Sequence, residues 1–215
     1  MMQHEPTRAI TNTLLLFGTP VFMYDVYSNP NEVHDTSAEQ VDLIQNRDGN
    51  FSSKITNVLE LDSYKEIKRR ILEGLNEYVR DVLHIQSRIE FYLTQSWLNV
   101  NPPGAAHHRH NHSNSIVSGV YYIDTDKDSN ITFLSSNNTN ITSNSTLQID
   151  VSQYTLANAT SWMVPVKNND IIYFPSTLLH EVAPNQSNKN RISLAFNCFI
   201  KGQFGNPQNL NELKL

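Results

Sequence analysis

Two periods of apolar residues divide the chain. Between about residues 62 and 83 the apolar positions fall three or four apart. Ile67, Ile71, Leu75, Tyr78, Val79 and Val82 form one stripe there, which predicts a helix with a single buried face. Ser63-Tyr64-Lys65-Glu66 at its start has the capping-box pattern, a hydroxyl three residues ahead of a carboxylate. The Glu, Lys and Arg residues lie off the stripe and read as a solvated face. From Ile89 onward the period becomes two. Alternation over 90–100, 106–112, 116–123, 130–134, 147–151, 161–166, 170–174 and 191–200 predicts about eight short strands, the spacing of a β-sandwich or jelly roll.

Ahead of the helix the pattern is weaker. A loose alternation over 14–26, broken by Gly18 and Pro20, predicts one strand, and the polar stretch 27–53 predicts loop with a helix near 38–46. Residues 135–146 are almost entirely Ser, Asn and Thr, which cannot bury apolar area. They predict a mobile surface loop, either an inert insertion or a lid over a pocket. The residues after Gly202 predict a tail lying over the surface. One domain results: a strand and helical support region over 1–88, a β-rich core over 89–202 and a tail over 203–215.

Composition narrows this little. With 215 residues, 39% of them hydrophobic, the chain is long enough for one sizeable core. Lys and Arg number 16 against 21 Asp and Glu, a net charge of −5, which argues against a broad nucleic-acid surface. The apolar patch before Gly18 is too short for a membrane span or a signal core. A soluble, cytoplasmic protein is expected. The single cysteine, Cys198, lies in an alternating run and reads as a small buried hydrophobe. Asn-x-Ser/Thr triplets at Asn140, Asn144 and Asn158 fit an Asn-rich composition without a secretory signal. His4 and His34 stand isolated among polar residues and read as solvated.

The chemistry concentrates in 97–122 and in a distant segment around His180. His110 and His112 are two apart, a spacing that turns both imidazoles to one face of a strand. With His180 they could hold a metal, and imidazole suits zinc, copper, nickel and iron. Eleven residues beyond His180, Arg191 opens another strand whose Ser193 and Asn197 share a polar face, while Ile192, Leu194, Phe196 and Cys198 make an apolar one. A polar face within a core strand is explained by a pocket. The plainer alternative for Arg191 is a surface ion pair. His107-His108-Arg109-His110 also permits a second register, His108 with His110, and otherwise places His107 and His108 at a pocket rim.

From about Trp97 to Asn197 the chain resembles the iron(II)- and 2-oxoglutarate-dependent oxygenases, and more closely a 2-oxoglutarate-Fe(II) oxygenase family common in phages and marine bacteria. The motifs that carry the resemblance are Phe17 to Pro20, His110-Asn111-His112, Ser118-Gly119-Val120-Tyr121-Tyr122, Phe174-Pro175 to His180, Val182-Ala183-Pro184-Asn185 and Arg191-Ile192-Ser193. The resemblance implies a double-stranded β-helix (jelly roll, cupin-like) over 89–202, mainly β with N-terminal helices. It implies iron(II) held by His110, His112 and His180, with Arg191 and Ser193 on the distal carboxylate of 2-oxoglutarate. Asn99-Val100-Asn101-Pro102-Pro103-Gly104 is similar to the Asn-x-Tyr-x-x-Gly run of alkylation-repair oxygenases, which assigns co-substrate contact to Asn99 but finds Asn101 where the tyrosine should stand. Tyr122 resembles the prolyl-hydroxylase tyrosine that reaches the co-substrate. For Asn99 and Tyr122 a structural hydrogen bond is the equal alternative.

His112 departs from the wider superfamily, which places Asp or Glu there, so the expected site is three histidines, as in some cupin-type dioxygenases, in place of two histidines and a carboxylate. Glu181 or Asp124 could still supply a carboxylate, although Glu181 beside His180 should point the other way. The implied reaction uses iron(II), 2-oxoglutarate and O2, with ascorbate as an admissible accessory reductant. It hydroxylates a substrate C–H bond and releases succinate and CO2. A peptidyl side chain or small molecule is the favoured substrate, nucleic acid the disfavoured one, and no membrane partner is implied. Two rival readings remain: a cupin-like three-histidine enzyme that does not use 2-oxoglutarate, and a non-catalytic jelly-roll binding module.

Overall fold

The sheet grows from its two longest strands. β4 (Ile89–Asn101) and β11 (Arg191–Phe204) pair antiparallel from Asn101 opposite Arg191 to Ile89 opposite Gly202, with one register shift after Asn197. In this computed structural model, which describes residues 17–25, 41–135 and 149–215, they are the centre of an eight-stranded sheet. β6 (Val117–Asp124), β9 (Asp170–Pro175) and β1 (Phe22–Asp25) extend it on the β11 side. β3 (Phe51–Ser53) and β2 (Leu43–Gln45) extend it beyond β4, and β12 (Leu213–Lys214) pairs with the end of β11. A second, four-stranded sheet runs β5 (His107–His110), β10 (His180–Val182), β7 (Asn130–Leu134) and β8 (Ser161–Pro165). Its strands also pair antiparallel, and the two sheets make a jelly roll.

Alternation sorts the large sheet's side chains into two layers. Tyr121, Ile171, Tyr173, Leu194 and Phe196 face the helix α1 (Lys65–Glu77), whose Ile67, Ile71 and Leu75 are buried in the same cluster. Their neighbours Tyr122, Ile172 and Phe174 point the other way, into a second cluster with Ile131 and Phe133 of β7. Three of the four inner-face residues of β11 from Arg191 to Asn197 are polar: Arg191, Ser193 and Asn197 are buried there around Ala195. The polar face predicted for that strand therefore lines the space between the sheets.

Several local expectations differ. The helix is entered through 3-10 turns at Val58–Glu60 and Asp62–Tyr64 and closes in a π turn at Tyr78–Val82. The capping box does not form, because Tyr64 is the N-cap residue without a side-chain cap, and the Ser63 hydroxyl is buried with no partner. Tight i to i+3 bonds such as Tyr64 N–H to Leu61 O (3.0 Å) take the donors instead. Part of the expected loop 27–53 is the β2–β3 hairpin. Residues 149–151 of the expected strand 147–151 are not strand, and the tail is tied back by β12. The helix over 38–46 finds strand where described. His4, His34, residues 26–40 and residues 136–148 lie outside the described residues.

Candidate active site

His110 and His180 are direct cross-strand partners in β5 and β10, which places both side chains on one face with ring centroids 4.3 Å apart. β5 ends at His110. His112 follows in the turn, where its backbone N–H donates to Ser176 O (2.9 Å), and its ring lies 5.3 Å from His110 and 5.2 Å from His180. One ligand atom from each residue lies within 4.8 Å of the others, a grouping able to hold a metal ion. Among the described residues no carboxylate joins this group. Glu181 points to the opposite face and takes the Arg109 guanidinium (3.2 Å), and Asp124 is exposed. His108 lies 5.3 Å from His110, but its Nδ1 is bonded to the Asp48 carboxylate at 2.8 Å and it is not part of the group able to hold an ion, so the ligand register is 110 with 112.

The tautomers follow from the hydrogen bonds. His110 Nδ1 lies 2.7 Å from the His108 carbonyl and His180 Nδ1 3.0 Å from the Leu178 carbonyl. A carbonyl only accepts, so each Nδ1 carries the proton and each Nε2 keeps its lone pair. His112 Nδ1 lies 2.5 Å from Asn197 Oδ1, to which the Ser118 hydroxyl also donates (2.8 Å). Asn197 Nδ2 donates to Gln95 Oε1 (3.2 Å), which fixes the amide end that faces the imidazole. All three rings thus present Nε2 as the free ligand atom. Burial, the largest cause for each, lowers their pKa values, for His180 down to about 3. They are neutral at physiological pH, as metal binding needs.

Behind the imidazoles the same cavity reaches Arg191, Tyr122, Ser193, Asn99 and Asn101. Arg191 is buried at 8% exposure and forms no ion pair among the described residues, which removes the surface-pair alternative. Its Nη1 donates to Asn130 O (3.1 Å), and its guanidinium carbon lies 5.9 Å from the centre of the Tyr122 ring. Arg191 Nε, Tyr122 Oη and Asn101 Nδ2 are all buried without a hydrogen-bond partner. Leaving such groups unpaired costs about 1–3 kcal/mol each, so three on one cavity mark a polar ligand. Burial accordingly pushes the Tyr122 phenol up to about 12. A dicarboxylate would answer all three. Asn99 also has a structural bond, since its Oδ1 accepts from the Ser52 hydroxyl (3.0 Å).

Sequence reasoning brought His110, His112, His180, Arg191, Ser193, Asn99 and Tyr122 to one candidate pocket, and the fold lines one cavity with all of them. It gave no role to two contributors. Asn101 was passed over because the motif wanted tyrosine there, although its period-two register with Asn99 puts both on one face. Asn197 was placed on the right face without a role, and its pairing with His112 spans 85 residues. His107, expected at the pocket rim, stacks on His110 at 4.5 Å and lines the cavity, where burial lowers its pKa to about 4. Cys198 is buried on the helix-facing side, its thiol pushed up to about 12 by burial, as its hydrophobic reading expected.

The sequence over 95–197 matches the family described as "Putative 2OG-Fe(II) oxygenase". No curated protein matches the chain in sequence. Among solved structures it is similar to an oxidoreductase of the 2OG-Fe(II) oxygenase family from Burkholderia pseudomallei, at 12% identity over 83% of each chain with a TM-score of 0.58. It is also similar to a Pseudomonas putida prolyl-4-hydroxylase, at 16% identity over 83% of this chain and 92% of that one, TM-score 0.54. A third is HygX from Streptomyces hygroscopicus, solved with nickel and 2-oxoglutarate, at 13% identity over 84% and 82%, TM-score 0.56. At such identities the likeness shows the shared jelly-roll fold.

Proposed function

We propose that this chain, whose residues 95–197 match the 2OG-Fe(II) oxygenase family, is a dioxygenase of that family hydroxylating a C–H bond of its substrate. The balance is one substrate, one 2-oxoglutarate and one O2 giving hydroxylated substrate, succinate and CO2. Iron(II) with 2-oxoglutarate supplies the oxidative chemistry, so the absence of an acid–base pair or nucleophile in the pocket is no objection. His110, His112 and His180 hold the iron through Nε2. Arg191 takes the distal carboxylate of 2-oxoglutarate, a task for a planar fork of donors that stays charged when buried. Ser193 adds a hydroxyl, and Tyr122 Oη and Asn101 Nδ2 donate to the oxygens that reach them. Val120, Ile131 and Val182 form the apolar wall that keeps water from the reacting atoms.

Three neutral imidazoles leave the metal one unit more positive than two imidazoles with a carboxylate, which favours an anionic co-substrate. The observation that carries the reading is the meeting of three unpaired buried groups with three free Nε2 atoms on one cavity. Anaerobic titration of the iron-loaded protein with 2-oxoglutarate tests it. A metal-to-ligand charge-transfer band should grow in and be lost in Arg191→Ala. A metal-replete, folded protein without the band would leave a three-histidine enzyme of another kind, or a binding module.

A further inference from the structure

The cavity opens past His107, His110 and His112 into a wider outer cleft walled by Asn46, Arg47, Gln95, Trp97 and Asn111. With the imidazoles, its walls are amides, two serines, one indole and one cation from Arg47. Arg47 stands in the turn between β2 and β3, and that turn is fastened on both sides of it. Asn46 Nδ2 donates to the Ser52 hydroxyl (2.8 Å), which donates to Asn99 Oδ1 (3.0 Å) on β4. The Asp48 carboxylate accepts from His108 N–H (3.0 Å) and meets His108 Nδ1 (2.8 Å), and Ala106 N–H donates to Asp48 O (3.2 Å). Gly49, at φ +81°, lets the chain reverse there, with Asn46 N–H donating to Asn50 O (2.7 Å).

The turn is thus held against β5, the strand that ends at His110. Arg47 between these anchors is exposed and has no acidic partner among the described residues. Its acidic neighbour is committed to His108, and the nearby Arg109 is committed to Glu181. A cation held at the mouth of a polar cleft by a fastened turn, with its own carboxylate turned away, is placed to receive an anion. Trp97, whose ring lies 5.7 Å from that of His112, offers a flat apolar surface in the same cleft as the cation.

We propose that Arg47 is a specificity-determining residue, binding a carboxylate or phosphate group on the substrate and laying the substrate's carbon frame along Trp97 toward the imidazoles. The amides of Asn46, Gln95 and Asn111 complete the polar contacts. The substrate is therefore an organic anion. This rests on the imidazole trio being the reacting centre, so the experiment has one arm that needs no metal chemistry.

In Trp162→Phe protein, Trp97 is the remaining indole. Arg47→Ala should lower its quenching by iodide at least twofold and leave quenching by neutral acrylamide unchanged. The second arm measures succinate release with N-acetylamino acids against their amides, and with sugar phosphates against the free sugars. Stimulation should come from anionic members, which also distinguishes carboxylate from phosphate. Arg47→Ala should raise the KM of the stimulating anion at least tenfold with little change in kcat, and Arg47→Lys should recover part of it. An unchanged iodide constant, a neutral compound as the stimulating one, or an anion whose KM moves less than twofold overturns the proposal. If no compound stimulates, the iodide result decides alone. An iodide effect without any charge-transfer band would keep the anion site and remove the oxygenase reading.

Discussion

An imidazole whose Nδ1–H is already given to an oxygen can offer a metal only Nε2, and the strength of that commitment sets how well the lone pair is aimed. For His110 and His180 the acceptor is backbone, beyond the reach of side-chain substitution. For His112 it is Asn197, so that contact can be changed without touching a ligand. Asn197→Leu should weaken cobalt(II) or iron(II) affinity by about 10–100-fold, and Asn197→Asp should restore it, in competition titrations against a chelator. Equal affinity in Asn197→Leu would mean the contact orients nothing. The same burial governs the response to acid. His107, His110, His112 and His180 all have lowered folded pKa values, to about 4 for His107 and about 3 for His180. The unfolded chain then binds more protons below the ordinary histidine value of about 6.5. Their contribution to stability is complete above about pH 6.5 and is lost as the pH falls toward 4 and 3. The melting temperature of metal-free protein should decline through that window, and His180→Gln should make the decline shallower.

At the scale of elements, what was legible depended on whether a segment carries its own pattern. β4, β6, β7 and β9 were read within a residue of their ends, and β11 from its first residue but four short of its last, because each, like the helix stripe, keeps its period long enough to declare a face. β2, β3, β10 and β12 have two or three residues apiece and exist because a neighbour offers them hydrogen bonds. That loss mattered, since the β2–β3 turn carries Arg47 and Asp48 to the mouth of the site, a placement no local pattern announces. The Ser-Gly-Val-Tyr-Tyr motif was noticed, but the reason for its glycine is tertiary. A Cβ on Gly119 would overlap the Phe196 ring and lie 2.6 Å from the Ile172 carbonyl oxygen, backbone of the adjacent β9. Gly119→Ala should therefore destabilise by about 1–3 kcal/mol, read as a lower urea midpoint with unchanged slope. Gly104→Ala would be a poor control, because its positive φ strains any side chain, whereas Gly18→Ala meets nothing within 4 Å and should be near neutral.

At the scale of the whole molecule, the candidate ligands straddle two sheets. His110 and His180 belong to the four-stranded sheet, whereas His112 is tied through Asn197 to β11 of the eight-stranded one, on the strand that also bears Arg191. A metal bound by all three would cross-link the two sheets on the face of the large sheet opposite the helix. Binding only the folded state at 100 times its Kd would add about 2.7 kcal/mol. For a domain of this size that is on the order of 5–10 °C in melting temperature. The gain should vanish in His110→Ala, which cannot complete the set. Hydrogen exchange separates a cross-link from general tightening: protection should rise in β5, in β10 and around Asn197 in β11, while the amides of α1, packed on the opposite face, keep their metal-free rates. Uniform slowing across both regions would instead mean that the ion acts by shifting global unfolding, with no special bond between the sheets.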